Sequence, residues 1–212
     1  MLRDINIIVV IVYLSIFLDN ILLTVVVPII PDYLFWLENP NISLNITKSS
    51  TPNVKDITLD QSEVLGNENG KIGILLASKA LIQIIINPLI GVLTQYLGYN
   101  VILFLGSVNL LIATLLFAIG DNYLMLLLAR SLQGFASACI SVSGMCIVAE
   151  QYDDEVHRSK VMGVVLGSIA LGVLTGYPVG GFLYDFLNKA APFILIAVLV
   201  LLDIGLQLTF MN

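Results

Sequence analysis

Residues 6–32 read NIIVVIVYLSIFLDNILLTVVVPIIPD, an apolar run that is too long for the core helix of a soluble protein and fits a membrane-spanning helix. Asp19 and Asn20 interrupt this run near its middle. A carboxylate at that depth costs a few kcal/mol, so it is retained where it faces a partner or a polar cavity. Asp19 is therefore a candidate to bind a cation or a proton. A structural hydrogen bond between helices is the alternative.

The composition places the whole chain among integral membrane proteins. Of its 212 residues, 58% are hydrophobic and 11% are charged, whereas a soluble domain has about 25% charged residues. The net charge of −6 provides no basic surface for nucleic acid. We see no nucleophile–base pair of an enzyme, and we predict no metal site and no cofactor.

Six apolar segments are each long enough to cross a bilayer as a helix. Lipid cannot satisfy free backbone groups, so each spanning segment must be helical. We therefore predict an all-α membrane protein in which residues 1–212 form one six-helix bundle. Its predicted spans are 5–31, 72–93, 100–119, 123–149, 159–183 and 191–211.

The polar stretch 32–71 is predicted to be a loop between the first two spans. Asn41 and Asn45 are each followed by Ile and then by Ser or Thr, which is the acceptor signal for N-glycosylation. If these signals are used, the loop lies on the lumenal or outer side of the membrane. The amino terminus is then cytosolic.

Three further ionisable residues fall within the spans: Lys79 in the second, Arg130 in the fourth and Asp203 in the sixth. At about 1.5 Å per residue, the depths of Asp19 and Lys79 allow contact but do not require it. A structural ion pair is the alternative to a functional role for Lys79 and for Arg130. Asp203 is a candidate to face a partner outside this chain.

The fifth span carries a dense set of glycines, with Pro178 directly after Tyr177. Glycines at four-residue spacing leave flat faces on which another helix can approach closely. Pro178 removes one backbone hydrogen bond and is expected to bend the helix. The glycines in question are Gly163, Gly167, Gly172, Gly176, Gly180 and Gly181.

Several of these segments resemble the vesicular monoamine transporters, a branch of the vesicular amine transporter family in the major facilitator superfamily. Arg130-Ser-Leu-Gln-Gly134 resembles the Arg-x-x-x-Gly signature of the fourth span in drug and amine antiporters. Gln95 stands where the superfamily usually has an Asp in the loop after the second span. The likeness extends along all six spans, most clearly in residues 18–31, 76–79, 87–91, 129–134, 167–181 and 191–193.

The resemblance implies a protein of twelve spans in two six-helix halves, with this chain as the amino-terminal half and the site between the halves. It implies a proton-coupled antiporter that loads cytosolic monoamines (serotonin, dopamine, noradrenaline, histamine or related amines) into secretory or synaptic vesicles. Its partners are the amine, protons, the lipid bilayer, and the second half or a full-length copy. The alternatives are a truncated, non-transporting form that modulates full-length carriers, or a related drug/proton or acetylcholine/proton antiporter.

The resemblance also assigns roles to individual residues. Asp19 receives the ammonium of the amine beside Asn20, and the acids that pair with Lys79 and Arg130 lie mostly in the second half. The expected pocket residues are Asp19, Asn20, Asn87, Ile169 and Val173. The expected proton-coupling or gating residues are Lys79 and Arg130. The expected helix-packing motif comprises Gly167, Gly172, Gly176, Pro178, Gly180 and Gly181.

We predict that Asn41 and Asn45 are glycosylated when the chain is expressed in animal cells, because both lie in a polar segment just after a span. Endoglycosidase digestion should increase the electrophoretic mobility of the protein. Replacement of both residues by Gln should remove that shift. A wild-type protein whose mobility does not change on digestion would contradict the lumenal placement of the loop.

Overall fold

The computed structural model describes the backbone of residues 2–38 and 54–211, and the side chains of residues 7–29 and 70–211. No strand occurs in these ranges. The helices are α1 (Leu2–Glu38), α2 (Val54–Leu97), α3 (Tyr99–Ile119), α4 (Tyr123–Gln151), α5 (Glu155–Phe186) and α6 (Ala190–Phe210).

Each of the six helices is long and apolar enough to cross a membrane, which confirms the predicted fold class. The apolar portions are Ile7–Ile29, Gly70–Leu97, Tyr99–Ile119, Tyr123–Gln151, Glu155–Phe186 and Ala190–Phe210.

The predicted loop 32–71 is shorter in the structure, because α1 continues to Glu38 and α2 begins at Val54. Hydropathy marks where a helix leaves the bilayer and does not mark where the helix itself ends. Helical hydrogen bonds can therefore continue into polar sequence. Asn41 and Asn45 lie outside the described residues, so the glycosylation of this segment stays a prediction.

The short connections between helices depend on specific turn and capping residues. Gly98 alone separates α2 from α3, and its φ of 84° lies in the left-handed region that glycine enters without steric cost. Asp154 caps the start of α5, where its carboxylate accepts a hydrogen bond from the backbone N–H of His157. These local signals turn the chain back through the membrane within a few residues.

The two ends of the α3–α6 pair are tied by side chains. At one end Asn100 Nδ2 donates to the carbonyl oxygen of Met211, at 3.2 Å. At the other end Lys189 Nζ donates to the carbonyl of Gly120 and lies 3.8 Å from the Asp121 carboxylate. Burial lowers the pKa of Lys189, and the charge of Asp121 partly offsets that effect.

Helices α1 and α4 supply most of the core. In their most apolar windows 56% and 61% of residues are buried, compared with 11% for α2 and 22% for α5. The most extensive packing is between α3 and α4, α1 and α5, and α2 and α4. Much of the apolar surface of α2 and α5 is therefore left uncovered by the rest of the bundle.

Glycines allow α5 to pack directly on the backbone of α1. A Cβ added at Gly172 would lie 2.8 Å from the Asn20 Cβ, and one added at Gly180 would lie 3.0 Å from the Val25 Cα. A Cβ added at Gly176 would overlap the Thr24 hydroxyl and lie 2.9 Å from the carbonyl oxygen of Ile21. These three glycines form one close-packing face, as their four-residue spacing predicts.

Other members of the predicted packing motif do not contribute to this contact. A Cβ added at Gly167 or Gly181 meets no described atom within 4 Å, so their assignment to helix packing was wrong for this part of the fold. The helix continues through Pro178 to Phe186. The reason is rotational: Gly167 and Gly181 are offset by one residue from the row of Gly172, Gly176 and Gly180, which turns them to another face.

We predict that Gly176→Ala destabilises the protein by about 1–3 kcal/mol, because the added methyl group overpacks the α1–α5 contact. Gly167→Ala is the matched control, since it adds the same atom to the same helix in open space. Thermal unfolding in detergent micelles measures both. Equal melting temperatures for the two variants would show that this glycine face does not hold the helices together.

Candidate functional site

The Asp19 carboxylate joins three helices in the centre of the bundle. Its Oδ2 atom lies 3.4 Å from Nζ of Lys79 on α2 and accepts a hydrogen bond from the hydroxyl of Ser137 on α4. Asp19 is 4% exposed and Lys79 is 6% exposed, so both charges lie away from solvent. Lys79 thus has an acid partner within this chain, and the expectation that further acids of a second half pair with Lys79 and Arg130 stays a prediction.

A glycine in the fourth span creates the approach that this ion pair needs. A Cβ added at Gly134 would lie 2.6 Å from the carbonyl oxygen of Lys79 and 3.0 Å from the Ile82 Cβ. Only a glycine therefore lets the backbone of α2 lie so close to α4. Ser137 follows Gly134 by three residues, which places its hydroxyl on the same face of α4.

The Asp19 carboxylate has unused capacity as a hydrogen-bond acceptor. Lys79 and Ser137 both contact Oδ2, while Oδ1 is buried and has no hydrogen-bond partner among the described residues. A buried oxygen without a donor carries its full desolvation cost. The site can therefore accept an additional N–H donor, and a cationic donor has the favourable charge.

Arg130 is completely buried and has no carboxylate partner among the described residues. One guanidinium nitrogen donates to Gln133 Oε1 at 2.9 Å, and the guanidinium carbon lies 5.8 Å from the ring centroid of Phe117. That ring stacks on Phe193 of α6, at 5.5 Å between centroids. The cation is thus stabilised by a π face and an amide, with Nε and one terminal nitrogen unpaired.

Asp203 faces partners within this chain, so the expectation of an outside partner was wrong. Its Oδ2 atom lies 2.7 Å from the hydroxyl of Ser15 on α1 and 2.8 Å from Nε2 of Gln207 on α6. The same Gln207 amide also contacts the hydroxyl of Ser107 on α3, at 2.7 Å. A polar group buried at a helix crossing finds hydroxyl and amide partners there, which avoids an uncompensated burial cost.

The remaining expected site residues are more widely spaced. Asn20 is half-buried, and its amide donates to the carbonyl oxygen of Ile16 at 2.8 Å. Ile169 and Val173 follow each other by one turn on α5, with Ile169 38% exposed. Asn87 lies eight residues beyond Lys79 on α2, about 12 Å along the axis. The structure brings Asp19 and Lys79 together, whereas Asn20 lies against Gly172 of α5, and no described hydrogen bond joins Asn87 to Asp19 or Lys79.

Sequence reasoning missed the neutral polar residues of the site. A search for polar side chains at helical spacing within the spans would have found them, because a hydroxyl or amide at bilayer depth also needs a partner. Gln133 and Ser137 follow Arg130 along one side of α4. The missed residues are Ser15, Ser107, Gln133, Ser137 and Gln207.

Comparison with known proteins gives this arrangement a family. The sequence matches the family model of the Major Facilitator Superfamily over residues 9–210. The chain belongs to the major facilitator superfamily. This superfamily member is 39% identical to the synaptic vesicular amine transporter of Homo sapiens, in an alignment that covers 97% of this chain and 49% of that protein.

Two further relatives extend the comparison to other amines. The chain is 35% identical to the chromaffin granule amine transporter of Rattus norvegicus, over 96% of this chain and 48% of that protein. It is 40% identical to the probable vesicular acetylcholine transporter-A of Danio rerio, over 99% of this chain and 39% of that protein. The chain spans about half the length of the amine transporters it matches.

We predict that Lys79→Gln destabilises the bundle by about 3–5 kcal/mol at neutral pH, because it leaves the buried Asp19 carboxylate without a cation. The double variant with Asp19→Asn should recover most of that loss, since no charge is then left unpaired. Lys160→Gln, an exposed position on α5, is the control. Thermal unfolding of the four proteins tests the pair, and a Lys79→Gln variant as stable as Lys160→Gln would contradict it.

Proposed function

We propose that this six-helix unit binds the ammonium of a monoamine at Asp19 and couples its movement to protons, as half of an antiporter that fills acidic vesicles. The main support for this proposal is the buried Asp19–Lys79 pair. One oxygen of the Asp19 carboxylate contacts both Lys79 and Ser137, and the other has no hydrogen-bond partner among the described residues. The candidate substrates are serotonin, dopamine, noradrenaline, histamine or a related amine. The names of the amine-transporter relatives support this proposal.

The chemistry of the pair suggests how the amine enters. A protonated amine offers the same charge as Lys79, so it competes with Lys79 for the carboxylate. The amine must replace one contact, that between Lys79 Nζ and Asp19 Oδ2 at 3.4 Å. The unpaired Oδ1 atom of Asp19 gives the amine a second acceptor. Substrate binding therefore releases the Lys79 ammonium from Asp19, which loosens the connection between α1 and α2.

Protons enter this scheme through the same carboxylate. A protonated Asp19 has no charge with which to hold an ammonium, so proton binding and amine binding exclude each other. Mutual exclusion at one group is the simplest form of coupling between two ligands.

The unpaired oxygen favours a monoamine over acetylcholine. A primary ammonium carries N–H groups that can donate to Asp19 Oδ1, whereas a quaternary ammonium carries none. Relatives with both names match this chain. We therefore propose acetylcholine as the second candidate and use it as the discriminating substrate below.

The outer faces of α2 and α5 are where we propose a second six-helix unit to pack. They are the least buried of the six helices, and the superfamily forms its substrate site between two halves. A non-transporting form of this chain that modulates full-length carriers would pack through the same faces of α2 and α5, but amine and protons would not exchange at its Asp19. Uptake by vesicles containing this chain alone, or together with a second six-helix unit, distinguishes these roles.

We predict that Asp19→Asn abolishes proton-driven uptake of labelled serotonin by the complete transporter in acidified vesicles, because Asn lacks the charge that attracts the ammonium. Asp185→Asn is the control, since it removes an exposed carboxylate at the end of α5. Labelled acetylcholine should be taken up poorly by the wild type. Undiminished serotonin uptake by Asp19→Asn would remove Asp19 from the substrate site, and preferential acetylcholine uptake would favour the second candidate.

A further inference from the structure

Asp203 on α6 is a second buried carboxyl, and the proposed amine site does not use it. It is 1% exposed, and its Oδ2 atom contacts the Ser15 hydroxyl and the Gln207 amide, which in turn contacts the Ser107 hydroxyl. Its Oδ1 atom is buried without a hydrogen-bond partner among the described residues. An ionised carboxylate in such a position lacks the cation that normally compensates for its burial.

No charged side chain among the described residues approaches Asp203 from the helices packed against α6. On α1 the titratable side chains nearest to Ser15 are Tyr13, which stacks on Phe17, and Asp19, which is bound to Lys79. On α3 the only titratable side chain is Tyr99, at the start of the helix. The charged side chains of α5 lie in residues 155–160 and at 185, at the two ends of that helix.

The hydrogen bonds of this network require more hydrogens than its neutral donors supply. The Ser15 hydroxyl has one hydrogen and two acceptors in range, the Ile11 carbonyl oxygen at 3.0 Å and Asp203 Oδ2 at 2.7 Å. The Gln207 amide has two hydrogens and three acceptors, on Ser15, Ser107 and Asp203. A proton on Asp203 supplies one of the two missing hydrogens, because it can donate to Ser15 while Ser15 donates to Ile11.

A crevice between α3 and α6 leads to this network. It is a cavity of about 180 Å³ lined by Asn100, Val101, Phe104, Gln207, Leu208 and Met211. That volume holds several water molecules. Gln207 belongs to both the cavity and the network, and its carbonyl oxygen Oε1 has no partner among the described residues. Because Oε1 is buried, a water molecule must pass the Gln207 side chain to reach it, and there the water would supply the donor that Oε1 lacks.

We propose that Asp203 is a proton-binding site, which carries its proton in this structure and exchanges it with water that enters from the α3–α6 crevice past the Gln207 side chain. The step is a proton transfer from a hydronium ion that has passed Gln207 to Asp203 Oδ2: one O–H bond of the hydronium breaks, an O–H bond to Oδ2 forms, and water is left. Nothing is oxidised or reduced. The proposal does not depend on amine binding at Asp19, so each can fail without the other.

Infrared spectroscopy of the 212-residue chain in dodecyl maltoside micelles, whose detergent has no carbonyl group to mask the signal, tests the proton. A protonated carboxyl has a carbonyl absorption that a carboxylate lacks. We expect this band at neutral pH in the wild type and in Asp153→Asn, which removes an exposed acid, and we expect its loss in Asp203→Asn. A band that persists in Asp203→Asn, or its absence from the wild type, would overturn the proposal.

A second variant keeps the test decisive if Asp203→Asn does not fold. Ser15→Ala leaves Asp203 in place and removes the hydroxyl that accepts its proton, so the band should shift in frequency. An unchanged band would show that the proton lies elsewhere.

Hydrogen exchange into D2O tests the route of the proton. Val101→Trp fills the exposed wall of the crevice and should slow the isotope shift of the carboxyl band. Ile112→Trp, which is also at an exposed position on α3, should not slow it. Equal rates in both variants would overturn the route through the crevice.

Discussion

A charged side chain inside a bilayer needs a nearby group that compensates for its lost hydration, and this requirement determines how the helices of the bundle pack. Asp19 lies where α1, α2 and α4 meet, and its carboxylate is compensated by Lys79 from one neighbour and Ser137 from the other. Without the low dielectric of the membrane such a pair would contribute little. Here, loss of either charge leaves the other uncompensated. The relative positions of three helices are therefore set by one carboxylate.

Close backbone approach is what makes this electrostatic arrangement geometrically feasible. Lipid offers no hydrophobic driving force between helices, so packing must come from surfaces that fit. Gly134 brings α4 to the backbone of Lys79, Gly144 brings α4 to Val12 of α1, and Gly106 brings α3 to Cys139 of α4. A Cβ at any of these positions would lie 2.9 Å or less from its neighbour. The glycines therefore allow the close helix approach that the buried charges need in order to meet.

The sequence predicted the six helices better than it predicted the contacts between them. Continuous apolar runs and the exclusion of free backbone groups from lipid are sufficient to predict six helices, and the motifs around Arg130 and residues 167–181 predicted the superfamily correctly. Rotation about each helix axis is harder to predict, because many faces of a membrane helix are apolar. Gly167 was therefore grouped with the packing face of Gly172, and Asp203 was expected to face outward. Ser137 and Gln207 were missed since neutral polar residues resemble ordinary small or flexible side chains in a sequence.

The two buried carboxyl groups, those of Asp19 and Asp203, are compensated in different ways for the hydration that they lose on burial. Asp19 is compensated by a cation, so loss of its charge would remove the attraction that links α1 to α2 through Lys79. Asp203 contacts hydroxyl and amide groups that supply too few hydrogens for their contacts, so we propose that its own proton completes the hydrogen bond to Ser15. Ser15 and Asp19 lie one turn apart on α1. Any shift of α1 that lengthens the Asp19–Lys79 contact therefore also alters the distance between Ser15 and Asp203. Helix α1 is therefore the element that connects the Asp19–Lys79 pair to the hydrogen bonds of Asp203.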